Sequence, residues 1–125
     1  MSLQERRRFV RMPTRTPLTY IVLPSGSAQL SVTKDLSSNG ARLTTEQLLP
    51  AGIPLQIALQ LPDEAQPVHF TAEVVWSEPY EVEAKAERQR MIETGVRFAE
   101  IAPRDRERVS RHLRRTLGAG GASAE

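Results

Sequence analysis

Apolar and polar residues alternate along much of the chain, and this two-residue period is typical of strands that bury one face. Residues 55–61 are the clearest case, because aliphatic side chains occupy every second position. Five further segments have the composition or the alternation of a strand: residues 18–23, 28–33, 41–44, 68–76 and 94–99. Turn-forming residues separate the segments, which predicts six short antiparallel strands.

The period changes near the end of the chain. Val109, Leu113 and Leu117 recur every four residues after Pro103, which predicts a helix with a narrow apolar face that ends at Gly118. Six strands followed by one helix predict a mainly all-β fold, either a closed antiparallel barrel covered by the helix or a sandwich. The alternation alone does not distinguish these two architectures.

Residues 68–76 carry the most aromatic side chains of any predicted strand. Phe70, Val74 and Trp76 share one face of this segment, and His69 lies on the other face. We therefore expect Trp76 in the core rather than on a surface that stacks on bases, and we expect His69 to be exposed.

Residues 79–91 differ from the segments on either side because they are charged and have no clean apolar period. We expect them to form a mobile excursion between the fifth and sixth strands. Part of this excursion, residues 82–89, is expected to be helical.

Length and composition limit the class of protein. A chain of 125 residues can form one hydrophobic core, so we expect a single domain at residues 6–117, between a leader at 1–5 and a flexible tail at 118–125. Cysteine is absent, and two isolated histidines do not make a zinc site. The sequence has no apolar run long enough to span a membrane and no signal peptide, so we expect a cytoplasmic protein.

Positive charge is concentrated in two places although the net charge is only +2. Five arginines lie in residues 6–15 and six in residues 104–115, whereas Lys34 and Lys85 are the only lysines. This distribution indicates a local basic surface rather than a general affinity for polyanions. The planar guanidinium group suits two-point contacts with phosphate and with the O6/N7 edge of guanine.

The sequence Asp-Leu-Ser-Ser-Asn-Gly at residues 35–40 lies between two predicted strands and has the composition of a tight turn. We expect Gly40 to adopt a positive φ, and we expect Asp35 and Ser37 to lie beside backbone N–H groups that can receive an anion. The arginines of residues 6–11 carry charge of the opposite sign to Asp35. A ligand with phosphates and a hydrogen-bonding base can therefore be held from two sides.

These two segments resemble the motifs of the PilZ domain, a receptor for the bacterial second messenger cyclic di-GMP. Residues 7–11 match RxxxR and residues 35–40 match (D/N)xSxxG, in that order. Residues 11–15 form a second RxxxR frame, but the leading run of arginines favours the first. The segments 73–76 and 95–98 and the closing helix extend the resemblance over most of the chain. The resemblance implies a six-stranded antiparallel PilZ-type β-barrel with a C-terminal α-helix.

The resemblance also implies how the ligand is bound. Arg7 and Arg11 would contact the phosphates and the Hoogsteen edges of guanine, and Asp35 would accept hydrogen bonds from guanine N1–H and N2–H₂. Ser37 would donate its hydroxyl to the ligand or else cap the turn. Gly40 would leave room for the ligand to approach. Auxiliary contacts are expected from three further arginines: Arg6, Arg8 and Arg42.

The predicted function is that of a cyclic di-GMP receptor or adaptor without enzyme activity. Its arginine segment would order over the ligand, and the protein, as a monomer or homodimer, would then signal to an unidentified downstream protein. Cyclic di-GMP is the expected ligand, with no metal or other cofactor, and the sequence has no Ser/His/Asp set, paired catalytic carboxylates or phosphate-binding loop.

Two alternative functions are open. A small barrel that binds long nucleic acid is disfavoured because aromatic residues, which stack on bases, make up only 5% of the chain. A degenerate PilZ adaptor that binds only protein is disfavoured because both motifs are complete.

Overall fold

The computed structural model describes residues 12–13, 15–84 and 87–120. These residues form seven strands and one helix. The strands are β1 (Met12–Pro13), β2 (Pro17–Val22), β3 (Gln29–Leu36), β4 (Gly40–Thr45), β5 (Pro54–Leu59), β6 (Val68–Ala84) and β7 (Glu87–Glu100). The helix is α1 (Pro103–Gly120).

All of the strand pairs are antiparallel, and six strands close into a barrel. The order is β3, β2, β5, β6, β7, β4, and β4 pairs in turn with β3. This closure confirms the predicted six-stranded barrel and excludes the sandwich. The seventh strand, β1, adds only two residues beside β3, where Met12 pairs with Leu36 and Pro13 pairs with Asp35.

Side chains that point inward from the barrel strands form one hydrophobic core. Leu55, Ile57 and Leu59 of β5 are at most 2% exposed, as the alternation of this segment predicts. Phe70 of β6 and Phe98 of β7 pack with their ring centroids 4.5 Å apart. The inward positions of strands distant in sequence therefore meet in a single interior, which is the physical reason for the barrel.

The apolar face of α1 completes this core. Val109 and Leu113 are 0% and 8% exposed and belong to the same cluster of buried side chains. The helix runs to Gly120, two residues beyond its predicted end at Gly118. A glycine costs a helix only about 1 kcal/mol, so Gly118 by itself does not end it. Within the part of the chain that the structure describes, no helix has both the length and the apolar character needed to cross a membrane.

Arg108 joins α1 to the loop between β5 and β6. Its guanidinium group lies 2.7 Å from a carboxylate oxygen of Glu64 and 3.0 Å from one of Asp105, and it donates to the carbonyl oxygens of residues 66 and 67. Its side chain is only 14% exposed. A single arginine therefore fixes the first turns of the helix against the barrel.

The prediction of a partly helical excursion at residues 79–91 is wrong. β6 and β7 continue past the barrel as a two-stranded hairpin whose last pair is Ala84 with Glu87. The backbone of this segment pairs across the hairpin rather than along the chain: Tyr80 pairs with Met91 and Glu81 pairs with Arg90. The expected mobility of this segment stays a prediction.

Candidate functional site

The turn between β3 and β4 is closed by the side chain of Ser37. Its Oγ accepts hydrogen bonds from the backbone N–H groups of Asn39, at 3.2 Å, and of Gly40, at 3.1 Å, and donates to the Gly40 carbonyl oxygen. The Ser37 N–H donates to the same carbonyl oxygen at 2.9 Å. Two of the N–H groups expected to receive an anion are therefore occupied, and Ser37 has the capping role that was the alternative to ligand contact. Contact between Ser37 and a ligand stays a prediction.

Gly40 is required by the packing of β4 against β7, not by a positive φ. Gly52, with φ of 93°, is the one glycine with a positive φ among the described residues, so Gly40 does not have the conformation predicted for it. Instead, a Cβ atom at Gly40 would lie 2.3 Å from the carbonyl oxygen of Val96 on β7. Because that oxygen belongs to the backbone, only glycine lets the two strands approach at this point.

Asp35 faces the outside of the barrel because of an irregularity in β3. The pairing of β3 with β4 shifts between Thr33, which is opposite the buried Leu43, and Asp35, which is opposite Arg42. The extra residue, Lys34, reverses the alternation, so Asp35 and Arg42 meet on the outer face. The Arg42 Nε atom donates to Asp35 Oδ2 at 2.6 Å, and Asp35 is only 4% exposed.

The Asp35–Arg42 pair is part of a longer set of contacts on the outer face, which we call the ion-pair row: Asp35, Arg42, Glu93 and Lys34. A second nitrogen of Arg42, Nη1, lies 3.0 Å from Glu93 Oε2, and Lys34 Nζ lies 3.9 Å from the same oxygen. Lys34 Nζ also lies 3.2 Å from the hydroxyl of Tyr80 and 4.6 Å from the centroid of its ring. Opposite charges therefore alternate from the turn to the β6–β7 hairpin.

Trp76 was expected in the core, and this prediction is wrong. The pairing of β6 with β7 shifts between Val74 and Trp76, so the tryptophan moves to the outer face and lies opposite Gly95. It is half-buried, and its indole covers Gly95 so closely that a Cβ atom there would lie 2.5 Å from Cε2. Gly95 also pairs with Arg42 of β4. Trp76 therefore lies on the outer face of β6, and Gly95 of β7 separates it from Arg42 of the ion-pair row. A register shift of this kind leaves no signal in the sequence.

The helix α1 also contacts the β3–β4 turn. Arg106 of α1 donates from Nη1 to the carbonyl oxygen of Ser38 at 2.9 Å.

The burial predicted for other residues of β6 is confirmed, since Phe70 and Val74 are buried and His69 is exposed.

The arginines that were expected to bind the ligand lie outside the described residues: Arg6, Arg7, Arg8 and Arg11. The first described residue is Met12, whose backbone pairs with Leu36, the residue before Ser37. Arg15, from the alternative RxxxR frame, is exposed and borders a cavity of ≈ 380 Å³ together with Leu30 and Met91. Among the residues that the structure covers, no group of histidine or acidic side chains is arranged to hold a metal ion.

Comparisons with known proteins identify the family and the fold of the chain. The family model of the PilZ domain matches residues 5–115. The chain is also similar to the solved structure of the PilZ domain, with c-di-GMP, of YcgR from Escherichia coli. The identity is 20% and the TM-score is 0.73, with 95% of this chain and 97% of that chain covered.

Two further solved structures are similar. One is MrkH of K. pneumonia in its apo state, with 16% identity, a TM-score of 0.75, and coverage of 92% of this chain and 52% of that chain. The other is the inhibitor of motility MotI/DgrA of Bacillus subtilis, with 19% identity, a TM-score of 0.66, and coverage of 90% and 52%. The chain thus spans about half the length of each of these two proteins. No curated protein matches the chain. Since the family model covers most of the sequence, the resemblance predicted from two short motifs is confirmed, and the chain belongs to the PilZ domain family.

Proposed function

We propose that this protein is a cyclic di-GMP receptor without enzyme activity, and that it binds the nucleotide on the outer face of the barrel at the β3–β4 turn. The observation that carries the proposal is the position of β1, because Met12 pairs with Leu36 and Pro13 pairs with Asp35. The segment that contains Arg7 and Arg11 precedes Met12 directly in the sequence. In the sequence, the RxxxR motif thus comes immediately before the strand that pairs beside the β3–β4 turn.

The side chains at this turn suit a guanine nucleotide. The Asp35 carboxylate can accept both N1–H and N2–H₂ of a guanine, whereas adenine offers no such pair of donors. The guanidinium groups of Arg7 and Arg11 bind the phosphates and the Hoogsteen edges of the bases, with Arg6 and Arg8 as auxiliaries. Ser37 and Gly40 keep the turn in the shape that presents Asp35.

Two outer-face side chains extend this site beyond the motifs. Arg42 adjoins Asp35 and has 39% of its side chain exposed, so it can reach an anion bound there. Trp76 presents a half-buried indole over Gly95, one strand farther along, and such a ring offers a stacking surface for a base. These positions give one ligand a carboxylate for base recognition, arginines for phosphate and an aromatic surface for stacking.

The relatives support the ligand class. The YcgR structure is a PilZ domain with c-di-GMP, and MrkH is described as a c-di-GMP dependence transcription regulatory factor. MotI/DgrA is an inhibitor of motility. The proposal includes an output step, in which nucleotide binding changes contact with a downstream protein.

Calorimetry with cyclic di-GMP tests the proposal. We expect the wild-type protein to bind, and we expect Arg7→Ala, Arg11→Ala and Asp35→Ala each to weaken binding about 10- to 100-fold, since a hydrogen bond to a charged group contributes about 1.5–3 kcal/mol. Glu73→Ala is the matched control, because Glu73 forms an ion pair with Arg97 on the same outer face without taking part in the turn.

Unchanged affinity in all three variants would remove the proposed site. A parallel titration with single-stranded RNA at two salt concentrations separates the alternatives, because binding of a long polyanion weakens steeply with salt. RNA binding without cyclic di-GMP binding identifies a nucleic-acid-binding barrel, and binding of neither identifies an adaptor that binds only protein.

A further inference from the structure

Arg42 binds the Asp35 carboxylate, which is the group proposed to recognise the guanine base. Its Nε atom donates to Asp35 Oδ2 at 2.6 Å, and Asp35 is 4% exposed. A guanine that binds through N1–H and N2–H₂ requires a two-point approach to that carboxylate. Arg42 therefore competes with the base for this carboxylate, and its side chain, which is 39% exposed, can turn towards solvent.

The movement of Arg42 changes the surroundings of Glu93. Arg42 Nη1 lies 3.0 Å from Glu93 Oε2, a closer contact than the 3.9 Å between the same oxygen and Lys34 Nζ. When Arg42 turns towards a bound phosphate, Glu93 loses its nearer cation, and the electrostatic attraction on Lys34 increases. Glu93 is only 18% exposed, so water compensates this loss poorly.

Lys34 is shared between Glu93 and the β6–β7 hairpin. Its ammonium group lies 3.2 Å from the Tyr80 hydroxyl and 4.6 Å from the centroid of the Tyr80 ring. A shift of Lys34 towards Glu93 weakens both contacts. Lys34, the bulged residue of β3, therefore contacts the hairpin through Tyr80.

The hairpin beyond the barrel has little other support from strands. The last pair between β4 and β7 is Thr45 with Ile92, and the last pair between β5 and β6 is Pro54 with Glu73. Among the strands that the structure describes, β6 and β7 pair only with each other around Tyr80, which pairs with Met91. An isolated two-stranded hairpin is marginally stable, so a contact with the barrel strongly affects its conformation.

From this geometry we propose that the nucleotide releases Arg42 from Asp35, and that Glu93 and Lys34 transmit the change to Tyr80 and loosen the β6–β7 hairpin. The inference rests on the proposed function and adds an output to it. In this proposal, the conformation of the hairpin depends on whether the ligand is bound, and the ion-pair row connects the hairpin to the binding site.

Hydrogen exchange of the full chain, with and without cyclic di-GMP, tests the coupling. We expect the ligand to speed exchange in residues 78–84 and 87–92 of the wild-type protein by about fivefold or more, the low end of a typical allosteric coupling. Glu93→Gln removes the charge that links Arg42 to Lys34, so the exchange of this hairpin is expected to change less than about twofold on ligand addition. Lys34→Gln tests the next link in the same way and serves if Glu93→Gln does not fold.

The control is Glu73→Gln, which breaks an ion pair with Arg97 on the same two strands but outside the ion-pair row. It is expected to retain the full response of the hairpin. Calorimetry on the same samples separates the two proposals. Binding by the wild type without any change in the hairpin overturns the coupling and leaves the receptor function in place, whereas absence of binding overturns both. An undiminished response in Glu93→Gln and Lys34→Gln overturns the route through the ion-pair row.

Discussion

Gly40 and Gly95 are both sites of close approach, but they differ in what a side chain would displace. A Cβ atom at Gly40 meets the backbone carbonyl oxygen of Val96 at 2.3 Å, and one at Gly95 meets the indole of Trp76 at 2.5 Å. A backbone oxygen inside a strand pair cannot move without breaking the pairing. The half-buried indole on the outer face can move towards solvent.

Gly40→Ala is therefore expected to lower the free energy of unfolding by about 1–3 kcal/mol, the usual cost of forcing extra atoms into a packed site. Gly95→Ala is expected to lower it less and to change the fluorescence of Trp76, the single tryptophan of the chain. Urea unfolding and emission spectra of the two variants check this. Equal destabilisation by both substitutions would contradict the distinction.

At the scale of elements, the attachment of α1 depends on one charged side chain as well as on its apolar face. Arg108 bonds Glu64 and Asp105 while only 14% exposed, and the hydrogen bond with Glu64 is the main reason that its pKa is raised. Removing the arginine would leave two carboxylates that are 20% and 12% exposed without this cation.

We expect Arg108→Ala to lower the free energy of unfolding by about 3 kcal/mol, since breaking a largely buried ion pair leaves charge uncompensated. Arg114→Ala is the matched control on the same helix. Arg114 pairs with Glu107, but both side chains are more than half exposed, so the loss is expected to stay within about 0.5 kcal/mol. Urea denaturation monitored by circular dichroism compares the two, and similar losses would show that the buried contacts of Arg108 do not hold the helix.

At the scale of the whole molecule, His112 makes global stability depend on pH. Burial lowers the pKa of His112 below its ordinary value of 6.5, nearby Arg115 lowers it further, and Glu64 opposes the shift. The folded state therefore favours the neutral imidazole. Between the two pKa values the unfolded chain binds more protons, so the contribution of His112 to stability is complete above pH 6.5 and is lost as the pH falls towards the folded pKa.

The midpoint of thermal unfolding is accordingly expected to decrease when the pH changes from about 7.5 to about 5.5. In His112→Gln, which cannot titrate, the decrease should be smaller. Calorimetric scans of both proteins at the two pH values measure the difference. The same decrease in both would assign the pH dependence to other groups.

The sequence by itself determined the features that depend on neighbours a few residues apart. The alternation of residues 55–61 and the four-residue repeat of α1 each predict which side chains are buried, because a strand and a helix repeat locally. Asp35, Ser37 and Gly40 lie in or directly beside one turn because they are within six consecutive residues. The two motifs in their order, together with the segments 73–76 and 95–98 and the closing helix, were enough to predict the family.

Only the tertiary structure decided the features that depend on the register between distant strands. The pairing of β3 with β4 selected the barrel over the sandwich. Register shifts at Lys34 and before Trp76 turned Asp35 towards Arg42 and moved the tryptophan out of the core. Gly40 is needed because of Val96, which is far away in the sequence. A one-residue shift reverses every side chain that follows it, and it is set by the partner strand, so no local pattern predicts it.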